Sequence, residues 1–185
     1  GGPVVKFLVT PNNILEAFLG YDNKEYHNQK LNYGEYDRDA QGMRAYLSWT
    51  WFFLSRGFAT LRYDYGRERT DGIYSDNKLH GLSANVNVPL LPASVAHKAG
   101  QLFVQAGGSY TLQDYTYPQP YTDVGWVAKT EERKDQIYQW TIGLNWEVIK
   151  NIGLVLQYKH VKWDSNISLY EYDNDVYTAG IEFKF

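Results

Sequence analysis

Residues Tyr138 to Val148 read YQWTIGLNWEV. The even positions are Tyr138, Trp140, Ile142, Leu144, Trp146 and Val148; the odd positions are Gln139, Thr141, Gly143, Asn145 and Glu147. Alternation with period two places successive side chains on opposite faces of a strand. One face here is apolar and flanked by aromatic rings, and the other is polar and small. A strand of about ten residues with this pattern has the length needed to cross a bilayer at a tilt.

The pattern recurs on both sides of this run. Upstream, Leu15 to Tyr21, Ala45 to Phe53, Ala59 to Tyr65, Leu82 to Val88 and Leu102 to Leu112 alternate in the same way; downstream, Ile152 to Tyr158 and Tyr177 to Phe185 do so. That makes eight strands, and Val4 to Thr10, followed by the turn Pro11-Asn12-Asn13, reads as a ninth. The connections sort by end. Short turns fall at Ser55-Arg56-Gly57 and Lys150-Asn151, with a medium one at Pro92 to Ala99. Long polar connections fall at Asn23 to Gln41, Glu68 to Lys78, Tyr117 to Asp135 and Trp163 to Asp173. Short turns at one end and long loops at the other are the asymmetry of outer-membrane barrels.

Composition points the same way. The 185 residues include 17 tyrosines, and aromatics make up 17%, as suits rings that settle at membrane–water interfaces. No run approaches the roughly 20 apolar residues of a membrane helix. The net charge of −3 argues against a general nucleic-acid binder. The chain lacks cysteine, which is compatible with an oxidising envelope. The expectation is therefore an all-β, antiparallel transmembrane barrel forming one domain over residues 1–185. It would lie in the outer membrane of a Gram-negative bacterium, with a periplasmic C-terminus and extracellular long loops. Lipid and lipopolysaccharide would surround it.

Single-chain bacterial barrels have an even strand number with both ends periplasmic. Nine strands break that rule, which favours a chain lacking earlier strands or an N-terminal periplasmic region. The alternative is a complete eight-stranded barrel for which Val4 to Thr10 is a lead-in. Another subunit is a further way to complete the barrel.

The C-terminal segment Tyr177-Thr-Ala-Gly-Ile-Glu-Phe-Lys-Phe185 resembles the signal read by the barrel assembly machinery. That resemblance implies a recognition role for Tyr177, Ile181, Phe183 and Phe185. Over roughly the last hundred residues, Arg133-Lys134-Asp135, Ser165-Asn166-Ile167 and Tyr170-Glu171-Tyr172-Asp173 resemble the C-terminal barrel linked to tetratricopeptide repeats. Tyr63-Asp-Tyr-Gly-Arg-Glu-Arg69 and Val88-Pro89-Leu90-Leu91 fit the same picture. The surface lipoprotein assembly modifier family is of this type. The resemblance implies a barrel of more than eight strands and a role in export; the sequence departs from the family in carrying no tetratricopeptide repeat.

If the alternation holds, Glu16, Asp22, Arg44, Arg62, Asp64, Glu147, Lys159, Glu182 and Lys184 project into the lumen. They would either line a water-filled pore that selects solutes or pair across strands and fill a narrow barrel. The leading expectation is a pore or export conduit for a solute, polymer or surface protein; the alternative is a closed barrel acting as a structural anchor. A third class, a lipid-modifying enzyme, finds little support. His160 has no serine two residues away, His80 and Ser83 fall on opposite faces, and His27 and His97 lie in connections. No metal-ligand spacing and no cofactor motif is present. Loop aromatics Tyr33, Tyr36, Tyr117, Tyr121, Trp126, Tyr170 and Tyr172 could stack on sugars, although interface rings continuing into ordered hairpins explain them more simply. The run Glu131-Glu132-Arg133-Lys134-Asp135 reads as a solvated loop base with weak local pairing.

The facing pattern makes a direct prediction. Leu144→Arg should weaken insertion by about 2–4 kcal/mol, while Asn145→Arg is tolerated, as read by reversible folding into vesicles. Equal tolerance of both would reverse the assignment of faces.

Overall fold

A computed structural model of the chain describes residues 1–25, 39–54, 56–91, 95–96, 100–118, 131–149 and 152–183. Nine strands follow in chain order: β1 (Val4–Thr10), β2 (Asn13–Lys24), β3 (Ala40–Phe53), β4 (Gly57–Thr70), β5 (Asn77–Pro89), β6 (Gln101–Pro118), β7 (Glu132–Ile149), β8 (Ile152–Ser165) and β9 (Tyr172–Phe183). They form one antiparallel sheet in which every strand pairs with its chain neighbours. The all-β architecture follows from the period-two pattern, and Val4–Thr10 is a full member of the sheet. Among the described residues the sheet is not closed: β1 pairs only with β2, and β9 only with β8.

The register runs without interruption through the middle of the sheet. One row links Leu15, Trp49, Leu61, Ala84, Gly108, Trp140 and His160 as successive cross-strand partners. The next row, on the opposite face, links Glu16, Ser48, Arg62, Ser83, Ser109 and Gln139. A slip of one residue in any pair would exchange the two faces, so the sheet is apolar on one side and polar on the other along its whole width.

The apolar side is the exposed one. Leu61 is 46% exposed, Trp140 45% and Leu156 53%, whereas Ser48 and Asn87 on the polar face are buried at 9% and 8%. Among the described residues only Ala40 and Ile167 are buried apolar side chains. A water-soluble sheet would place its apolar face against a second layer; here the polar face is the sheltered one.

The strands outrun the sequence reading. β6 and β7 are 18 residues each. The polar segments expected as long connections at Glu68–Lys78 and Trp163–Asp173 prove to be strand at both ends. Glu68 pairs with Asn77, and Trp163 with Tyr172, which leaves only 71–76 and 166–171 as connections. Short 3-10 turns at Ile73–Ser75 and Ser168–Tyr170 close them. Hydrophilic composition reports solvent exposure, and a strand that continues past the apolar band keeps its ladder while losing its alternation. The sorting of connections by length is correspondingly less sharp, because 90–100, at the short-turn end, is longer than either.

Gly100 opens β6 with φ of +78°, in the left-handed region that disfavours side chains. A Cβ there would also press into the backbone of Glu147. Gly180, on β9, has open space around it. Gly100→Ala should lower stability by about 1–2 kcal/mol or more in urea unfolding from detergent, with Gly180→Ala close to neutral. The reverse order would contradict this account of the β6 entry.

Candidate functional site: the polar face and its loop end

The candidate site is the polar face between β2 and β6, which shelters a groove of about 990 Å³ toward the end where Lys24 pairs with Ala40 and 71–76 joins β4 to β5. Side chains from alternate positions of neighbouring strands meet there because the register sets them opposite or diagonal to one another.

One connected network spans four strands. On β1, the Lys6 Nζ lies 2.7 Å from Glu16 Oε2 on β2. Tyr46 on β3 donates its hydroxyl to Glu16 Oε1 at 2.5 Å. The Arg62 guanidinium on β4 lies 3.8 Å above the Tyr46 ring and donates through Nε to Asp64 Oδ2 at 2.9 Å. Phe18 stacks on Tyr46 with centroids 5.1 Å apart. Nearer the loop end, Arg44 Nε lies 3.2 Å from Asp22 Oδ2, and Lys24 pairs with Glu68. That last pair reaches from β2 to β4 across β3, where Gly42 and Ala40 offer no bulk.

The side chains in these pairs range from 23% to 66% exposed, so each contributes at most about 1 kcal/mol. Their effect is to hold the groove wall in one arrangement. Of the residues singled out in the sequence, Glu16, Asp22, Arg44, Arg62 and Asp64 are thus brought together and paired. Glu147, Lys159 and Glu182 share the same face but lie apart, on β7, β8 and β9. Lys184 and Phe185 lie outside the described residues. The opposite wall, on β6 and β7, presents Gln105, Ser109, Thr111, Gln139, Thr141 and Asn145. The middle of this wall is therefore amide- and hydroxyl-rich, whereas the β1–β4 side is lined by paired charges.

Sequence reasoning missed Lys6, Lys24, Glu68 and Tyr46. Lys24 and Glu68 were hidden in segments read as loops, and Tyr46 was one tyrosine among many. It also misjudged Arg133 and Asp135, expected as a solvated loop base. Their side chains are 10% and 0% exposed. Arg133 donates from Nε and Nη2 to the two carboxylate oxygens of Asp135 at 2.9 and 2.5 Å. The guanidinium lies between the rings of Tyr170, at 3.5 Å, and Tyr115, at 4.5 Å. Ser165 donates to Asp135 at 2.7 Å, and the Ile167 backbone N–H donates to Ser165 Oγ at 3.2 Å, with Ile167 itself fully buried. The 166–171 connection is thereby folded over the polar face. Rings from two other segments cover the pair, a fact no local reading contains.

Of the loop aromatics, Tyr170 serves this cluster and Tyr172 stacks on Trp163 at 5.5 Å. Tyr117 is exposed. Tyr33, Tyr36, Tyr121 and Trp126 lie outside the described residues, as do His27 and His97. Tyr177, Ile181 and Phe183 share one exposed face of β9.

On the apolar face, His160 Nδ1 lies 2.8 Å from Asp175 Oδ1, which also accepts from Tyr158 at 2.7 Å. His80 meets Tyr63 at 2.7 Å, on the face opposite Ser83. Among the described residues no three His, Cys, Asp or Glu side chains converge as a metal site would require.

Comparison of the chain with protein-family models, curated proteins and solved structures finds no match.

A buried ion pair broken on one side leaves an uncompensated charge. Asp135→Ala should cost about 3–5 kcal/mol and expose 166–171 to protease, whereas Arg133→Met with Asp135→Leu together should recover most of that loss. Unfolding midpoints and proteolysis rates check both, and a harmless single substitution would mean that the cluster is not what docks the connection.

Proposed function

We propose that this chain is an outer-membrane β-barrel whose polar face lines a path for a solute, polymer or surface protein. The observation that carries the reading is the inverted polarity: an apolar face exposed across nine strands, with the polar face sheltered. Water would penalise that exposed face at about 25 cal/mol per Å²; acyl chains would not.

Aromatic contacts run along the exposed face near its loop end. Tyr65 meets His80 at 5.2 Å, Tyr110 meets Tyr138 at 4.9 Å, and Tyr158 meets Tyr177 at 4.9 Å. Trp146 lies toward the other end, eight residues from Tyr138. That separation is about 27 Å along a strand, or about 21 Å of height at a 40° tilt, comparable with the apolar band of about 25 Å in such barrels. In lipid every backbone group needs a partner, so the open edges of β1 and β9 come together, either directly or through further strands. A lumen side formed by the polar face would hold the groove and its charged wall. The same interstrand ion pairs support a second reading, in which the interior is filled and the barrel is a non-conducting anchor. The family resemblance of the C-terminal hundred residues favours export over simple diffusion.

Reconstitution tests both levels. In single-tryptophan variants placed in vesicles with brominated acyl chains, Trp49 and Trp140 should be quenched and Trp163, on the polar face, spared. In planar bilayers, persistent open-channel steps are expected. Uniform quenching, or none, would refute the membrane reading; proper quenching with no conductance would leave the anchor.

A further inference from the structure

Six charged side chains on the polar face line the groove, and they are matched in pairs. Asp22 lies 3.2 Å from Arg44, Lys24 is joined to Glu68, and Arg62 donates to Asp64 at 2.9 Å. Three acids against three bases leave the six with no net charge. Arg67 also borders the groove, from a position of the opposite parity. Glu147, Lys159 and Glu182 stand beyond it, on β7, β8 and β9.

The inward positions of β5 and β6, from Asn77 to Pro89 and from Gln101 to Tyr115, carry no charge at all. Ser83, Asn85, Ser109, Thr111 and Gln113 border the groove from these strands. None of the five is buried, and among the described residues none spends its side chain on a hydrogen bond. An amide offers both donors and an acceptor, and a hydroxyl is donor and acceptor at once. Such groups pair with a ligand's hydroxyls in either sense and favour neither an anion nor a cation. An anion brought to Arg62 would first have to displace Asp64. Gly66 and Gly81 on the groove floor carry no side chain, although a Cβ at either would meet nothing nearer than 3.5 Å. Packing does not demand glycine there, and its effect is to keep the floor low. From Asn77 to Asn87 the uncharged column of β5 runs ten positions, roughly 33 Å along the strand, a length that fits a chain of several units.

We infer that the groove takes an uncharged, polyhydroxylated chain, an oligosaccharide without acidic or amino groups, held by the amides and hydroxyls of β5 and β6. Each such hydrogen bond contributes a modest net gain. A ligand held by several is retained weakly enough to leave, as passage requires. The inference rests on the reading of the polar face as the wall of a path, and names what that path takes.

The test uses the full chain folded in a phosphocholine detergent, which carries no sugar, with binding read by saturation-transfer NMR titration. Maltohexaose, an uncharged probe, should bind. A sulfated hexasaccharide and hexalysine should each bind about tenfold more weakly or worse. Replacing three of the neutral groups together, Ser83→Ala, Thr111→Val and Gln113→Leu, should weaken maltohexaose binding about tenfold or more. Glu68→Gln keeps those groups but leaves Lys24 without its partner, and should add binding of the sulfated probe. Tighter binding of either charged probe to the unaltered protein, an unaffected triple variant, or no gain in the Glu68 variant would each overturn the inference. Maltohexaose binding without open-channel steps in planar bilayers would refute the conduit alone. Steps without maltohexaose binding would refute the inference alone, so the two failures are distinguishable.

Discussion

The hydrogen-bonded register is the constraint on which everything else in this chain depends. In an antiparallel sheet the facing of a side chain is set by parity, and parity is transmitted from strand to strand by the ladder. Because the pairing of β2 through β6 proceeds without a shift, the choice of face made at Leu15 and Glu16 propagates to Trp140 and Gln139. The shifts that do occur lie at strand ends, between Leu8 and Thr10, Asp114 and Pro118, and Glu147 and Ile149. There they loosen a terminus without exchanging the faces.

Given that propagation, the two faces handle polarity differently. On the polar face, charge is neutralised locally: Lys6 with Glu16, Arg44 with Asp22, Arg62 with Asp64. The long side chains lean across strands, and Tyr46 joins two pairs into one network. The apolar face instead carries rings through its middle and charges toward its margins, where Arg67 stands opposite Lys78 and Lys78 opposite Asp114. The difference follows from what each face meets. A sheltered polar surface must satisfy its own charges, whereas charges at an exposed rim can be solvated.

Among the described residues, the Arg133–Asp135 cluster is the one place where charge is removed from solvent. Two donors, two acceptor oxygens, a serine hydroxyl and two aromatic rings surround it, the degree of satisfaction that buried charge demands. Its position under 166–171 ties a connection to the wall of β6 and β7, so the end of the sheet is shaped by a tertiary contact and not by turn chemistry.

The sequence by itself determined the nine strands, their approximate centres, the two faces and the membership of Glu16, Asp22, Arg44, Arg62 and Asp64 in one polar surface. All of these rest on period-two alternation, a local property that any ten residues display. Only the tertiary structure decided how far the strands run, because β4, β5, β8 and β9 continue through polar residues that show no apolar alternation and are strand through their pairing with one another, Glu68 with Asn77 and Trp163 with Tyr172. It also decided which charges are matched. Whether Arg133 is buried depends on Tyr115 and Tyr170, and whether Arg67 is opposed by a carboxylate or by Lys78 depends on the register of β4 against β5. Parity can be read along one strand, but a partner is a property of two.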